Sequence, residues 1–445
     1  MKQRLIILGA GESGVGAAIL GRKQGWDVFV SDLSPIKEKY KSELYDNNIQ
    51  FEEGKHTVET ILAADLVIKS PGIPDKVALV QQIKEKGISI VSEIEFAYTY
   101  CKGKIVAITG ANGKTTTTAL THHILQKAGY DVALGGNIGT SFARLVAEKD
   151  YQYYVIEISS FQLDGCYTLK PNVAILTNIT EDHLDRYEYK FENYILSKFR
   201  IAQAQDHTDY LVYCDDDPVT LEWINKINIS AHKIGFSIQH QLSEGSWKQE
   251  SELIFNVNNN QFEMDTHELA LSGLHNTYNS MAAGIAAKLM GVRKEVIRES
   301  LQDFKNLDHR MEFVATIRGV DFINDSKATN VNSAWYALES MTKQVIWIAG
   351  GVDKGNDYTL LKDLVKTKVK AIVCLGKDNE KLHEAFSEDV GYIVDTNSAE
   401  EAVSMAFNLA EKGEAVLLSP ACASFDLFEN YEDRGRQFRR SVLSL

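Results

Sequence analysis

Thr109-Gly110-Ala111-Asn112-Gly113-Lys114-Thr115-Thr116 follows the apolar run Lys104 to Ile108 and leads into a segment of helical character. A glycine-rich turn between a buried strand and a helix lets backbone amides and the helix N-terminus face an anion, and Lys114 adds a full positive charge. The stretch is therefore read as a phosphate cradle in an α/β sheet, with Thr115 placed to ligate Mg²⁺. The eight-residue form of this motif would start with glycine at position 108, where the chain has Ile108, so the match is to the shorter Gly-x-x-Gly-Lys-Thr. Four successive threonines, Thr115 to Thr118, are poor helix formers unless the first of them have other partners.

Upstream, an apolar strand at residues 4–9 runs into Gly9-Ala10-Gly11-Glu12-Ser13-Gly14, a Gly-x-Gly-x-x-Gly turn, and a second strand, Val28 to Ser31, ends at Asp32. That is the layout of a dinucleotide fold, with Asp32 near the ribose-binding acid. Ser70-Pro71-Gly72 follows the strand Asp65 to Lys69, at the sheet edge where open α/β folds bind ligands. Downstream, the glycine pair Gly135-Gly136 precedes Asn137, and Glu157 closes the strand Tyr153 to Ile158 beside the phosphate loop, where a second metal contact is expected. Asn178-Ile179-Thr180-Glu181-Asp182-His183-Leu184-Asp185-Arg186 is dense in metal- and phosphate-binding groups, and Lys198 lies on a following helix. Residues 207–270 read as short strands and turns, with Gln239 to Glu252 an exposed loop. Asn276 and Asn279 stand three apart at a helix start, so their amides can face one ligand.

From Leu307-Asp308-His309-Arg310 onward, strands Val320 to Ile323, Gln344 to Ala349, Ala371 to Leu375 and Ala415 to Ser419 alternate with helices, the pattern of a mainly parallel sheet. Three polar loops end those strands, at 324–330, 350–355 and 419–426, and form a candidate binding face. The expected architecture is α/β with three domains: Rossmann-like over 1–95, a P-loop ATPase-type parallel sheet over 96–306, and a second Rossmann-like domain over 307–445.

Composition narrows the function classes. A formal net charge of -14 argues against general binding to nucleic acid or anionic membrane. The five cysteines show no Cys-x-x-Cys spacing and read as reduced thiols. The apolar run after Met1 is short and interrupted by glycines, so it reads as a first strand, and no stretch is long enough to span a bilayer. The expectation is a cytoplasmic protein that is not membrane-embedded.

Taken in order, Gly110 to Thr115, Glu157-Ile158-Ser159-Ser160-Phe161-Gln162-Leu163, Asn178 to Arg186 and His275-Asn276-x-x-Asn279 resemble the motifs of the Mur ligases. Asp325-Ser326-Lys327-Ala328-Thr329-Asn330 and Ser419-Pro420-Ala421-Cys422-Ala423-Ser424-Phe425-Asp426 are similar to the branch that adds D-glutamate to UDP-N-acetylmuramoyl-L-alanine in peptidoglycan synthesis. The resemblance covers essentially the whole chain. It implies that the first glycine turn holds UDP rather than NAD, with Ser13, Asp32, Leu33, Ser70, Gly72 and Asn137 as substrate contacts. ATP would be held by Gly110, Asn112, Gly113, Lys114, Thr115, Thr116, Asn276, Arg310 and Asp325. One magnesium site would use Thr115 and Glu157 and a second His183 and Lys198, the lysine as a carbamate. Lys114, His183 and Lys198 would be catalytic, His309 would lie at the hinge, and Thr329, Lys354, Ser419 and Phe425 would surround D-glutamate. A monomer is expected by analogy. Alternatives are another Mur-type or folylpolyglutamate-type amide ligase, a NAD-binding oxidoreductase, or an inactive nucleotide-binding scaffold. The Asp-Asn-Pro-Arg of the diamino-acid-adding ligases is absent from the sequence, and an oxidoreductase has no need for Lys114, Glu157 and His183.

Overall fold

The computed structural model describes residues 2–182, 184–271, 273–305, 308–353 and 355–445, and of Asp185 the main chain only. Among these residues the strands form three sheets. The first contains β1 (Arg4–Leu8), β2 (Asp27–Asp32), β3 (Gln50–Glu53), β4 (Leu66–Lys69) and β5 (Ser89–Val91) in the order β3-β2-β1-β4-β5, all parallel. Leu5, Ile6 and Ile7 of β1 are fully buried, as a central parallel strand covered on both faces requires. Each contributes about 1.5–3 kcal/mol by leaving water.

The second sheet contains β6 (Lys104–Thr109), β7 (Val132–Gly136), β8 (Tyr153–Glu157), β9 (Val173–Leu176), β10 (Tyr210–Cys214), β11 (His232–Ser237), β12 (Gly245–Gln249), β13 (Glu252–Val257) and β14 (Asn260–Asp265). Its order is β14-β13-β12-β11-β10-β9-β6-β8-β7, parallel except for the pairs made by β13. The phosphate loop thus leaves a central strand, and Glu157 pairs with Ile108 at the end of it. β12 corrects the reading of 239–252 as an exposed loop: Gly245, Ser246 and Trp247 are buried there. Two small residues and one aromatic carry no strand signal, and their burial depends on β11 and β13 lying on either side.

These two sheets share one compact unit, residues 1–269 with 277–303. Helix Glu12–Lys23 packs on helix Phe142–Glu148. A β-carbon on Gly16 would lie 2.1 Å from Ser141 Oγ and 3.2 Å from the Arg144 backbone nitrogen. Glu12 completes the contact, accepting from Ser141 N at 3.1 Å and from Arg144 Nε at 2.7 Å. Gly16→Val is therefore expected to lower stability by about 1–3 kcal/mol through overpacking, read as a fall in the urea midpoint at unchanged slope.

The second unit, residues 270–276 with 304–445, carries the third sheet. It contains β15 (Glu312–Ile317), β16 (Val320–Asn324), β17 (Val345–Ala349), β18 (Val369–Leu375), β19 (Tyr392–Thr396) and β20 (Ala415–Leu418) in the order β15-β16-β20-β17-β18-β19. Only β15 pairs antiparallel. Along β17, Val345, Trp347 and Ala349 join one core and Ile346 and Ile348 the other, so apolar layers cover both faces. β15, β19 and the final helix Tyr431–Leu443 add to the elements read from the sequence. Among the described residues no helix is long and apolar enough to cross a membrane.

Candidate active site

After β6 the chain turns at Gly110, with φ 147°, and at Gly113, with φ 82°, before helix Lys114–Lys127 begins. Space at both positions is closed as well: a β-carbon would lie 1.9 Å from Thr177 Oγ1 at Gly110 and 2.4 Å from Asn279 Oδ1 at Gly113. Only glycine meets both demands. The amides of Ala111 and Asn112 bond to Asn178, at 2.8 Å to its carbonyl and 2.9 Å to its Oδ1, while Thr177 Oγ1 donates to the Asn112 carbonyl at 2.6 Å. Those two amides brace the loop from beneath. The first turn of the helix also carries the amides of Thr115 and Thr116, whose acceptors do not lie one turn back within it, and its N-terminus favours an anion. The later half of the threonine run is engaged by the protein, Thr117 Oγ1 donating to Asn279 Oδ1 at 3.1 Å and Thr118 Oγ1 to the Lys114 carbonyl at 2.7 Å, whereas Thr116 Oγ1 is buried without a hydrogen-bond partner among the described residues.

Two lysines converge on this turn. Lys114 Nζ donates to the carbonyls of Gly110 at 2.9 Å and Ala111 at 2.8 Å, and Lys198 Nζ donates to Gly110 at 2.6 Å. Lys198 projects from helix Phe191–Phe199, is only 2 % exposed and stands 4.4 Å from the Tyr194 ring centroid. Burial holds its ammonium well below the usual lysine range, and the Lys114 charge pushes the same way against Asp182, Asp164 and Glu157. An amine so depressed is available in the neutral form that carbamylation needs. Glu157 is 1 % exposed and accepts from Asn137 Nδ2 at 2.8 Å, while Asn137 N donates to the Glu157 carbonyl at 2.8 Å. Gly136 permits this approach, since its β-carbon would lie 2.2 Å from that carbonyl. The Thr115 hydroxyl and the Glu157 carboxylate are oxygen donors of the kind a hard divalent cation selects, so the pair fits magnesium. His183 lies outside the described residues.

In the first sheet, Gly9 has φ 98° and Gly14 leaves its β-carbon no room, 1.9 Å from the Gly9 carbonyl. At Gly11 neither backbone nor packing requires glycine, which leaves its backbone open to close approach by a diphosphate. Asp32 is already engaged: Ala10 N donates to Oδ2 at 2.7 Å and Ser34 N to Oδ1 at 2.8 Å, so it secures the glycine turn. Ser13 and Ser70 are half-buried, whereas Leu33, Gly72 and Asn137 are exposed. Arg186 spans from the second sheet to this edge, donating to the Pro71 carbonyl at 3.0 Å and standing 4.5 Å from the Phe161 ring centroid.

In the second unit, Asp325 follows β16 and accepts from Ser419 Oγ at 3.0 Å and from Met311 N at 3.2 Å. Burial lifts its carboxyl to about 7 against the pull of Arg310. Ser419 is fully buried with its hydroxyl on Asp325, so it positions that acid from within the fold. Phe425 is 71 % exposed and Thr329 half-buried, and Lys354 lies outside the described residues. His309, at φ 63°, accepts from Asn324 Nδ2 at 2.9 Å and lies against Gly435. Asn276 lines a cavity of about 500 Å³ with His275, Met311 and Phe313.

Sequence profiles of known families match in three consecutive parts: the MurD N-terminal domain over residues 4–78, the Mur ligase middle domain over 108–287 and the Mur ligase glutamate ligase domain over 309–422. The UDP-N-acetylmuramoylalanine--D-glutamate ligase of Porphyromonas gingivalis strain W83 is 54 % identical, covering 100 % of this chain and 99 % of the relative. That of Christiangramia forsetii is 53 % identical over 100 % of both. The chain belongs to the Mur ligase family. Its fold is also that of a pseudomurein peptide ligase type C from Methanothermus fervidus, at a TM-score of 0.63 and 20 % identity over 100 % of both chains.

In this Mur ligase three further residues join the candidate site. Lys327 Nζ donates to Tyr431 OH at 2.9 Å and stands 4.1 Å from that ring's centroid. Lys327 sits inside a motif read for its neighbours, and Tyr431 opens a helix whose apolar repeat is broken by Arg434. Arg434, on the same helix, is 1 % exposed; its guanidinium bonds to Ser326 Oγ and to the carbonyls of Ser326, Gly350 and Cys422. It joins the three strand-end loops of the third sheet. The signal available in the sequence was the spacing Arg434, Phe438, Val442, one helical face on which a charged residue takes a core position.

Proposed function

We propose that the protein is an ATP-dependent amide ligase that adds D-glutamate to UDP-N-acetylmuramoyl-L-alanine through an acyl phosphate, in cytoplasmic peptidoglycan precursor synthesis. The observation that carries the chemistry is the convergence of Lys114 and the buried Lys198 on the Gly110 carbonyl. Phosphoryl transfer from ATP to a carboxylate brings two anions together, so fixed positive charge is the main demand. Lys114, anchored to the loop, supplies it without reorganisation. The first-turn amides of helix Lys114–Lys127 orient the phosphate chain. Magnesium, when held by Thr115 and Glu157, would neutralise further phosphate charge, and His183 with carbamylated Lys198 would hold a second ion.

We assign the remaining contacts on the same reading. The turn from Gly9 to Gly14, with Ser13, Asp32, Leu33, Ser70, Gly72 and Asn137, grips the UDP-sugar, and Asp32 also shapes that turn. Asn276, Arg310 and Asp325 hold ATP. ADP leaves as the γ-phosphoryl passes to the carboxylate; Thr329, Lys354, Ser419 and Phe425 face D-glutamate, whose amine then attacks the acyl phosphate and displaces inorganic phosphate to leave the amide. Lys354 can pair with its side-chain carboxylate. The domains run 1–95, 96–306 and 307–445, and the protein acts as a monomer.

Phosphate release with ATP and Mg²⁺, omitting UDP-N-acetylmuramoyl-L-alanine and D-glutamate one at a time, tests the assignment. Release is expected to need both for turnover. Release that ignores D-glutamate but responds to another amino acid would overturn the specificity.

A further inference from the structure

Cys374, on β18, and Asp395, on β19, are partners in the parallel register, so their side chains leave the sheet on the same face. Helix Glu380–Phe386 connects the two strands and lays His383 over that pair. The thiol, an imidazole nitrogen and a carboxylate oxygen all lie within 4.8 Å of one another, and His383 Nε2 is 3.0 Å from Asp395 Oδ2. Asn379 orients the carboxylate, its Nδ2 donating to Asp395 Oδ1 at 2.9 Å. Its own Oδ1 is buried without a hydrogen-bond partner.

We propose that Cys374, His383 and Asp395 form a site for a borderline transition-metal ion, with Zn²⁺ as its natural occupant, separate from the magnesium chemistry. Three observations support it. The donor set of sulfur, nitrogen and oxygen selects zinc or cobalt over magnesium or calcium. Donor atoms in a tetrahedral zinc site stand about 3.3–3.6 Å apart; the imidazole and carboxylate, at 3.0 Å, would open slightly, and no pair, at 4.8 Å or less, needs to close by more than about 1.5 Å. Thiolate and carboxylate together cancel a divalent charge, which offsets part of the penalty for placing it at a buried thiol. Two ligands come from strands and one from the helix joining them, and the carboxylate is already oriented by Asn379, as outer partners orient metal ligands. A coordinated water completes four-coordination.

The site has its own proton chemistry. Burial pushes the Cys374 thiol up, and the Asp395 charge adds to that, so without metal it stays protonated and unreactive. Metal binding forms the S–metal bond and releases that proton to solvent. Asn379 also lines a cavity of about 400 Å³ with Gly351, Asp353 and Cys422. An ion beside Asn379 would therefore stiffen the strand-end loops that this reading of the third domain places at the amino-acid site.

The test is a titration of the chelator-stripped full-length protein with CoCl₂, followed by displacement with ZnCl₂. One equivalent of cobalt should bind with a sulfur-to-cobalt charge-transfer band and tetrahedral d–d bands, and zinc should abolish both. Cys374→Ser should remove the charge-transfer band, while Cys422→Ser should keep it. His383→Gln and Asp395→Asn, at less buried positions that leave the core intact, should each weaken cobalt binding by about 10-fold or more. Absence of binding, a band that survives Cys374→Ser, or unchanged affinity in both His383→Gln and Asp395→Asn would overturn the proposal.

Discussion

Lys114→Ala should reduce ATP-dependent amide formation by about 10³-fold or more, the scale on which fixed charge acts in phosphoryl transfer. The side chain is not a free surface ammonium. It is tied to the Gly110 and Ala111 carbonyls, so its charge is already in place at the mouth of the loop before any ligand arrives. A second loss compounds the first. The Lys114 charge helps hold Lys198 below the usual lysine range, so removing it raises the Lys198 ammonium and shrinks the neutral fraction that carbamylation needs. Stability should hardly change, because Lys114 is only part-buried and its removal relieves repulsion with Lys198. Turnover measured with saturating substrates, together with a thermal melt, separates the two effects. Wild-type turnover in this variant would contradict the phosphate-loop assignment.

Arg434→Ala should lower the stability of the third-sheet unit by about 3 kcal/mol, through a cavity and buried carbonyls left without donors. The carbonyls of Ser326, Gly350 and Cys422 end three different strand segments, and one guanidinium satisfies all of them. Burial lowers its pKa to about 10, so it keeps its charge at neutral pH. Activity should fall with stability, because these loops carry the groups assigned to ATP and D-glutamate. Arg434→Lys should not restore it, since an ammonium lacks the planar fork that reaches several acceptors at once. Urea unfolding and the KM for D-glutamate are the two readouts; a variant unchanged in both would show that the loops are held by other contacts.

The two variants differ in how far they could be foreseen. Lys114 stood out because its chemistry is local: two glycines, a lysine and a threonine within six residues describe a complete turn and helix start. Arg434 did not, because a buried arginine is stable only with acceptors that lie far away in sequence, and nothing near it names them. The same applies to Ser419 and Asp32. Each sits in a motif that points to a ligand, and each has its polar atoms engaged by backbone or side chains brought in by the fold. Helix Tyr431–Leu443 is not legible in the sequence for a related reason, since an apolar repeat is broken where arginine occupies a core position.

Sequence by itself determined the alternation of buried strands and helices, the glycine turns at strand ends and the order of motifs that marks a Mur ligase. These depend on backbone dihedrals and on periodic burial, which neighbouring residues dictate. Tertiary structure alone decided which donors remain for a ligand: that Asn178 takes the Ala111 and Asn112 amides, that Lys198 reaches the Gly110 carbonyl, and that Asp325 lies buried under Ser419. A polar group inside a protein must find a partner, and the partner is chosen by packing between segments that only the fold brings together.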